Sequence, residues 1–235
     1  MSKKLLMNKY SVNGLLPVQE GLVCWLDAFD LTSYSLGIEW PDRTGNGNGI
    51  VREASNVVSV NNGILHACSI VDIPNPTKGL TSYSVEVGYE DLKTGYWLGL
   101  WGNTSANTER YCHGLSFHQL GNSYSAFPFY LTTPTKTEIN GGKNYTVLTI
   151  NSNILEIYHN GVKYYTFNSE PKNILPSEAN YSCFMARKPN TLTPDATSGT
   201  DSRLAKWYYI RIYNKVLTEE EILNNYNYEL TLQRG

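Results

Sequence analysis

The sequence predicts an all-β domain, and three observations carry that expectation. Short runs alternate apolar or aromatic residues with polar ones, each bounded by Gly, Asn, Pro or Ser, the period of strands with one buried face. Asn160-Gly161 separates two such runs by two residues tolerant of positive φ, as a tight hairpin requires. Helical spacing occurs in one stretch, near the end. With 235 residues the chain fits a single β-sandwich or barrel. Charged residues are 17% against roughly 25% in ordinary globular domains, while aromatics reach 12% with 18 Tyr. The surface must therefore be built mainly from Asn, Ser, Thr and Tyr.

In chain order, residues 1–19 read as an N-terminal arm before a domain over residues 20–235. Strands are expected at Leu22 to Leu26, Ser84 to Tyr89 and Tyr96 to Trp101. Cys112 to His118 and Tyr124 to Tyr130 form a pair turning through Gly121-Asn122. Tyr145 to Ile150, Ile154 to His159 and Val162 to Phe167 form a meander, followed by strands at Tyr181 to Arg187 and Ala205 to Tyr213. Residues 189–203, rich in Thr, Pro, Gly, Asp and Ser, read as a long exposed loop. The helix begins after Thr218, because Thr218-Glu219-Glu220-Glu221 is a capping box with three carboxylates against the macrodipole. Ile222, Leu223 and Tyr226 give it an apolar stripe, predicting a helix to about Tyr228 beside the strand carrying Ile210 and Ile212.

Several function classes are disfavoured at once. Nineteen basic against 21 acidic residues, a net charge of −2, supply no field to gather nucleic acid or anionic lipid. No apolar run approaches the ~18 residues that span a bilayer, and Leu5, Leu6 and Met7 are too short for a secretory core. The expectation is a soluble protein with neither nucleic-acid nor membrane partner. Cys24, Cys68, Cys112 and Cys183 are far apart with no C-x-x-C pair, so free core thiols are expected.

Two segments carry a resemblance. Gly21-Leu-Val-Cys-Trp25-Leu-Asp27, followed by Trp40-Pro-Asp42-Arg-Thr-Gly45-Asn46-Gly47-Asn48-Gly49, resembles the opening of concanavalin A-like lectin/glucanase domains of the laminin-G type. Ile210-Arg-Ile-Tyr213-Asn-Lys-Val216-Leu-Thr218-Glu-Glu-Glu221-Ile222-Leu-Asn-Asn225-Tyr226 is similar to their closing strand and helix, and Tyr158-His159-Asn160-Gly161 to their central hairpin. The resemblance implies a jelly-roll sandwich of two antiparallel sheets with a short C-terminal helix, a scaffold shared by lectins, glycosidases and viral structural proteins. Trp25 and Tyr213 are then core residues, and the Gly-Asn loop after Asp42 uses glycine for positive φ.

Glycosidases of this resemblance place carboxylates at alternate positions of one strand, and no such motif is present. Glu86 and Glu90 share a face of one strand with no carboxylate between them, and Asp91 falls on the other face. No catalytic residue and no enzymatic activity are expected. Calcium, a hard cation suited to oxygen ligands, is the cofactor the resemblance allows, with Asp195, Asp201 and Asn103 as candidate ligands. For sugar binding, Trp97 and Trp101 share a face opposite Leu98 and Leu100, and Asn103, Arg110 and Tyr111 lie close in sequence. These five are the candidate carbohydrate contacts, although burial of the tryptophans is the commoner outcome for that residue type. Leu5, Leu6, Leu15 and Leu16 make the arm apolar outside a closed fold, so it must either fold back as an extra edge strand or dock on another subunit, and docking, on another copy or on a virion protein, is the expectation.

A single module without signal peptide or catalytic pair is expected to be a non-catalytic structural or appendage protein of a bacteriophage virion, in a tail, fibre or capsid, with host-surface glycan as a candidate ligand. The alternatives are a secreted bacterial lectin module or glycosidase-associated domain, and a purely architectural protein.

Overall fold

The computed structural model describes residues 15–35, 37–91, 97–104, 111–118, 123–127, 131–132, 142–152, 154–167, 180–184 and 205–234. Their strands are, in chain order, β1 (Leu22–Asp27), β2 (Glu39–Trp40), β3 (Gly49–Asn61), β4 (Ile64–Pro74), β5 (Ser82–Asp91), β6 (Trp97–Thr104) and β7 (Tyr111–His118). They continue with β8 (Ser123–Phe127), β9 (Leu131–Thr132), β10 (Lys143–Asn151), β11 (Ile154–His159), β12 (Val162–Phe167), β13 (Tyr181–Phe184) and β14 (Ala205–Tyr213), and the helix α1 (Glu219–Thr231) follows. Every pairing among them is antiparallel. One sheet runs β12-β11-β10-β5-β14, with β1 alongside the second half of β14. The other runs β2-β3-β4-β13-β6-β7-β8-β9. The sheets join where Ala205 to Trp207 of β14 pair with β4, so the expected β-sandwich with a short C-terminal helix is the fold.

The interior is assembled by strand alternation. Cys24 and Leu26, Val85 and Val87, Leu148 and Ile150, and Ile210 and Ile212 bury one face of the first sheet against Val51, Leu65, Val71, Ile73, Leu100 and Trp101 of the second. At roughly 1.5–3 kcal/mol for each large apolar side chain removed from water, this layer dominates the stability.

The meander over β10 to β12 is as expected, with Asn160 at φ 50° and Gly161 at φ 79°. A Cβ on Gly161 would stand 2.9 Å from Tyr226 Cδ1, so the tight turn also lets the hairpin lie against α1. The capping box forms: Glu221 N–H donates to Thr218 Oγ1 at 3.2 Å, and Thr218 N–H to Glu221 Oε2 at 3.0 Å. The long β3–β4 hairpin, turning at Asn62 (φ 43°) and Gly63 (φ 77°), is an addition to the elements expected.

The helix packs on β14, the strand predicted for it. Ile210 and Ile212 face the interior between the sheets, so α1 covers the opposite face of β14, where Ile222 and Leu217 pack with Val147, Tyr158 and Tyr213. Trp25 and Tyr213 are buried as expected, but under the helix. The last arm residues join this layer. Val18 N–H donates to Asn225 Oδ1 at 2.7 Å, the Asn224 side-chain amide donates to the Leu16 carbonyl at 3.2 Å, and Leu15 stays exposed. The backbone at Leu16 and Val18 is thus held by the chain's own helix. Leu5 and Leu6 lie outside the described residues.

Candidate functional site

Two polar constellations stand out among the described residues, and their exposure separates them. The first lies between the first sheet and α1 and is sealed. Arg211, with no side-chain exposure, donates to Glu86 at 3.2 Å and to Glu229. Arg234 forks onto Asp27 at 2.9 and 3.0 Å, bonds Glu229 at 3.2 Å, and donates to the Gly63 carbonyl at 2.7 Å. Arg43 links Asp27, at 3.1 Å, to Asp30, at 2.7 Å. The Trp25 ring lies between the Arg43 and Arg211 guanidiniums, 4.5 and 4.9 Å from its centroid. Asn225 donates to Glu86 at 3.2 Å and to the Tyr213 hydroxyl at 3.0 Å. Burial pushes the Glu86 carboxyl up, against the pull of Arg211. Asp27, Glu86 and Glu229 are each matched by a guanidinium or an amide and closed to solvent, with Asp30 at the edge, so this constellation holds helix to sheet. Glu90, which shares the Glu86 face, instead pairs with Lys206 at 3.1 Å and accepts from the Tyr208 hydroxyl at 3.0 Å.

The second constellation is open. A cleft of about 370 Å³ lies at one rim of the sandwich, between residues 42–47 and the turn 74–76. Asp42 organises one wall. One carboxylate oxygen accepts from the Trp25 N–H at 2.8 Å and the Thr44 N–H at 3.0 Å. The other accepts from the Thr44 hydroxyl at 2.6 Å and from the N–H groups of Asn46 and Gly47 at 3.0 and 3.2 Å. Gly47 has φ 155°, and a Cβ there would stand 3.1 Å from Pro74 Cγ, so glycine is what lets this loop approach the other wall. Asn75 organises that wall, its side-chain oxygen accepting from the Thr77 N–H at 3.0 Å, the Thr77 hydroxyl at 2.9 Å and the Ser182 hydroxyl at 3.2 Å. Asn46 is exposed on the cleft, with its side-chain amide anchored to the Val23 carbonyl at 3.0 Å. Val23, Ile73 and Pro76 supply apolar lining, and Cys24, a buried free thiol, closes the floor. Burial, reinforced by the Asp42 charge, pushes that thiol well up.

The sequence-derived candidates divide. Trp101 is corrected: it is fully buried, 5.9 Å from Tyr83 between ring centroids, and offers no face to a sugar. The cause is a register shift between Gly99 and Trp101 that inserts Leu100 as an extra residue, so Leu100 and Trp101 both enter the core instead of alternating. The side chains of Trp97, Asn103 and Tyr111, and all of Arg110, Asp195 and Asp201, lie outside the described residues. Backbone register nevertheless carries Asn103 and Tyr111 toward the cleft's end of the second sheet. Asn103 lies opposite Ser182, which lies opposite Ile73, and Tyr111 lies opposite Thr104. Of the cysteines, Cys24 is the free core thiol expected; the side chains of the other three lie outside the described residues. The Asp42 loop has the structural role its glycines predict, and it also builds the cleft, which sequence reasoning missed. The signal was available in Asp42-x-Thr44-x-Asn46-Gly47, an acidic side chain followed by backbone suited to turn N–H groups toward it.

An antiparallel two-layer sandwich, capped by a helix and opened by a rim cleft, defines a β-sandwich protein. Comparison with solved structures agrees. The chain superposes on Trypanosoma rangeli sialidase in complex with sialic acid at a TM-score of 0.65 and 16% identity, over 95% of this chain and 37% of the sialidase. It also superposes on the botulinum neurotoxin serotype D binding domain at 0.59 and 14% identity, over 89% of this chain and 51% of that one. The chain thus spans well under two thirds of either protein, and the likeness is one of fold. No family model and no curated protein matches. The expectation that the chain is not an enzyme is corrected by this finding, because the fold recurs within an enzyme. Its physical basis was too narrow: a search for paired strand carboxylates passes over glycosidases that use another nucleophile, such as the tyrosine of sialidases.

Proposed function

We propose that this chain is a glycan-binding module. The observation that carries the reading is the rim cleft, whose walls are each fixed by a side chain gathering backbone and hydroxyl donors. A concave site that needs no ordering on binding spends little of its interaction energy on entropy. Apolar lining beside an exposed amide suits a sugar, which presents C–H faces and hydroxyls together. The likeness in fold to a sialidase solved in complex with sialic acid supports the same class of ligand. The virion placement expected from the sequence draws no support from these structures.

The test is a glycan microarray with the purified chain, followed by saturation-transfer NMR on any hit. Reproducible binding of a glycan class, competed by the free sugar, is the expected result. No binding to any glycan at millimolar concentration would overturn the proposal.

A further inference from the structure

We propose that the rim cleft takes an uncharged sugar residue and discriminates against sialic acid and other acidic sugars. This inference rests on the glycan-binding reading and deepens it. The Asp42 carboxylate stands in the cleft wall, only 8% exposed, and no Lys or Arg lines the cleft among the described residues. The nearest guanidinium in sequence, that of Arg43, is turned away and occupied by Asp27 and Asp30. Lys78 Nζ, beyond the other wall, donates to Asn180 Oδ1 at 2.8 Å.

Cys24 on the cleft floor has its thiol pushed up by burial first and by the Asp42 charge second. A carboxylate-bearing sugar entering here would meet a fixed like charge in a partly desolvated place without a cation to offset it. A neutral pyranose meets no such penalty. Its C–H face can lie on Val23, Ile73 and Pro76, and its hydroxyls can reach Asn46, while about 370 Å³, near the lower end of the ~300–1,000 Å³ usual for ligand pockets, suits a short ligand.

The experiment compares glucose-, galactose-, mannose- and N-acetylglucosamine-terminated glycans with their sialylated forms, using the wild-type chain, Asn46→Ala and the cleft-filling Pro76→Trp. Circular dichroism melting establishes that each variant is folded. The wild type is expected to bind at least one neutral terminus at least tenfold more tightly than its sialylated form, and both variants to weaken that binding at least tenfold. Binding confined to sialylated glycans would overturn this inference and leave the glycan-binding reading intact. Neutral-glycan binding unchanged within twofold in both folded variants would place the site elsewhere. Absence of binding to every probe would overturn both.

Discussion

Replacing Arg234 with alanine should be among the most damaging single changes to this fold. Its guanidinium, 1% exposed, makes the forked pair with Asp27 and the bond to Glu229, and also donates to the carbonyls of Gly63 and Tyr208. Truncation leaves Asp27 with Arg43 and Glu229 with Arg211, but each loses one of its compensating charges inside a sealed layer. Breaking a buried pair in this way costs about 3–5 kcal/mol, which for a domain of this size is roughly 6–20 °C in Tm. The pH dependence carries a second signature. Burial works against the Asp27 carboxylate, but Arg234 and Arg43 outweigh it and hold the group at about 2, against 3.8 unperturbed. A pKa lowered by folding contributes stability that is present above the unfolded value and lost as pH falls through the folded one. The difference is worth about 2 kcal/mol, lost between about pH 4 and pH 2. Urea denaturation of wild type and Arg234→Ala at pH 7 and at pH 3 measures both effects. The gap between the two proteins should be full at pH 7 and narrower at pH 3. A gap below 1 kcal/mol at pH 7, or one independent of pH, would refute the account of this layer.

Three further outcomes follow from local geometry. Thr218→Ala removes the acceptor of the capping box and should cost about 1 kcal/mol, read as a lower urea midpoint; an unchanged midpoint would mean that the box contributes nothing. Gly161→Ala should cost about 1–2 kcal/mol, because φ is +79° and the new Cβ would meet Tyr226; a melting temperature equal to wild type would count against the turn described. His159, pushed down to about 4 by burial, should titrate near that value by NMR. Because folding lowers its pKa, the unfolded chain takes up the proton first and stability should fall from about pH 6.5 toward 4. A midpoint near 6.5 would show the ring to be solvated.

What the sequence displayed and what it concealed differ in physical kind. Local devices were legible. Asn160-Gly161 specifies its turn through backbone preference, and Thr218 to Glu221 their cap through bonds three residues apart. The β3–β4 hairpin carries the same turn signal at Asn62-Gly63, but its flanking runs, such as Arg52-Glu-Ala-Ser-Asn56, do not alternate cleanly and register shifts interrupt the pairing. Trp101 was misplaced because an inserted residue changes phase without any compositional mark. The layer beneath α1 was hidden for another reason. Asp27, Glu86, Arg211, Glu229 and Arg234 each read alone as surface charges, and only long-range pairing makes them interior. The cleft was half visible, since the Asp42 loop was recognised, but its opposite wall comes from Asn75 and Ser182, more than 30 and 130 residues further along the chain.

The pairing of β1 with β14 gives the domain a particular mechanical character. Leu22 lies opposite Tyr213 and Asp27 opposite Tyr209, so the chain enters β1 beside the place where it leaves β14. On that arrangement alone, tension applied through the two ends would open the strand pair one hydrogen bond at a time, like a zip. But α1 doubles back, and Arg234 is fastened to Asp27 at the far end of β1. Force entering through the C-terminal segment is therefore delivered to one end of β1 while the N-terminal segment pulls on the other. That tension runs along β1 itself, so the hydrogen bonds across to β14 are spared while the contact holds. The module should resist stretching for as long as that one guanidinium holds, and open bond by bond once it lets go.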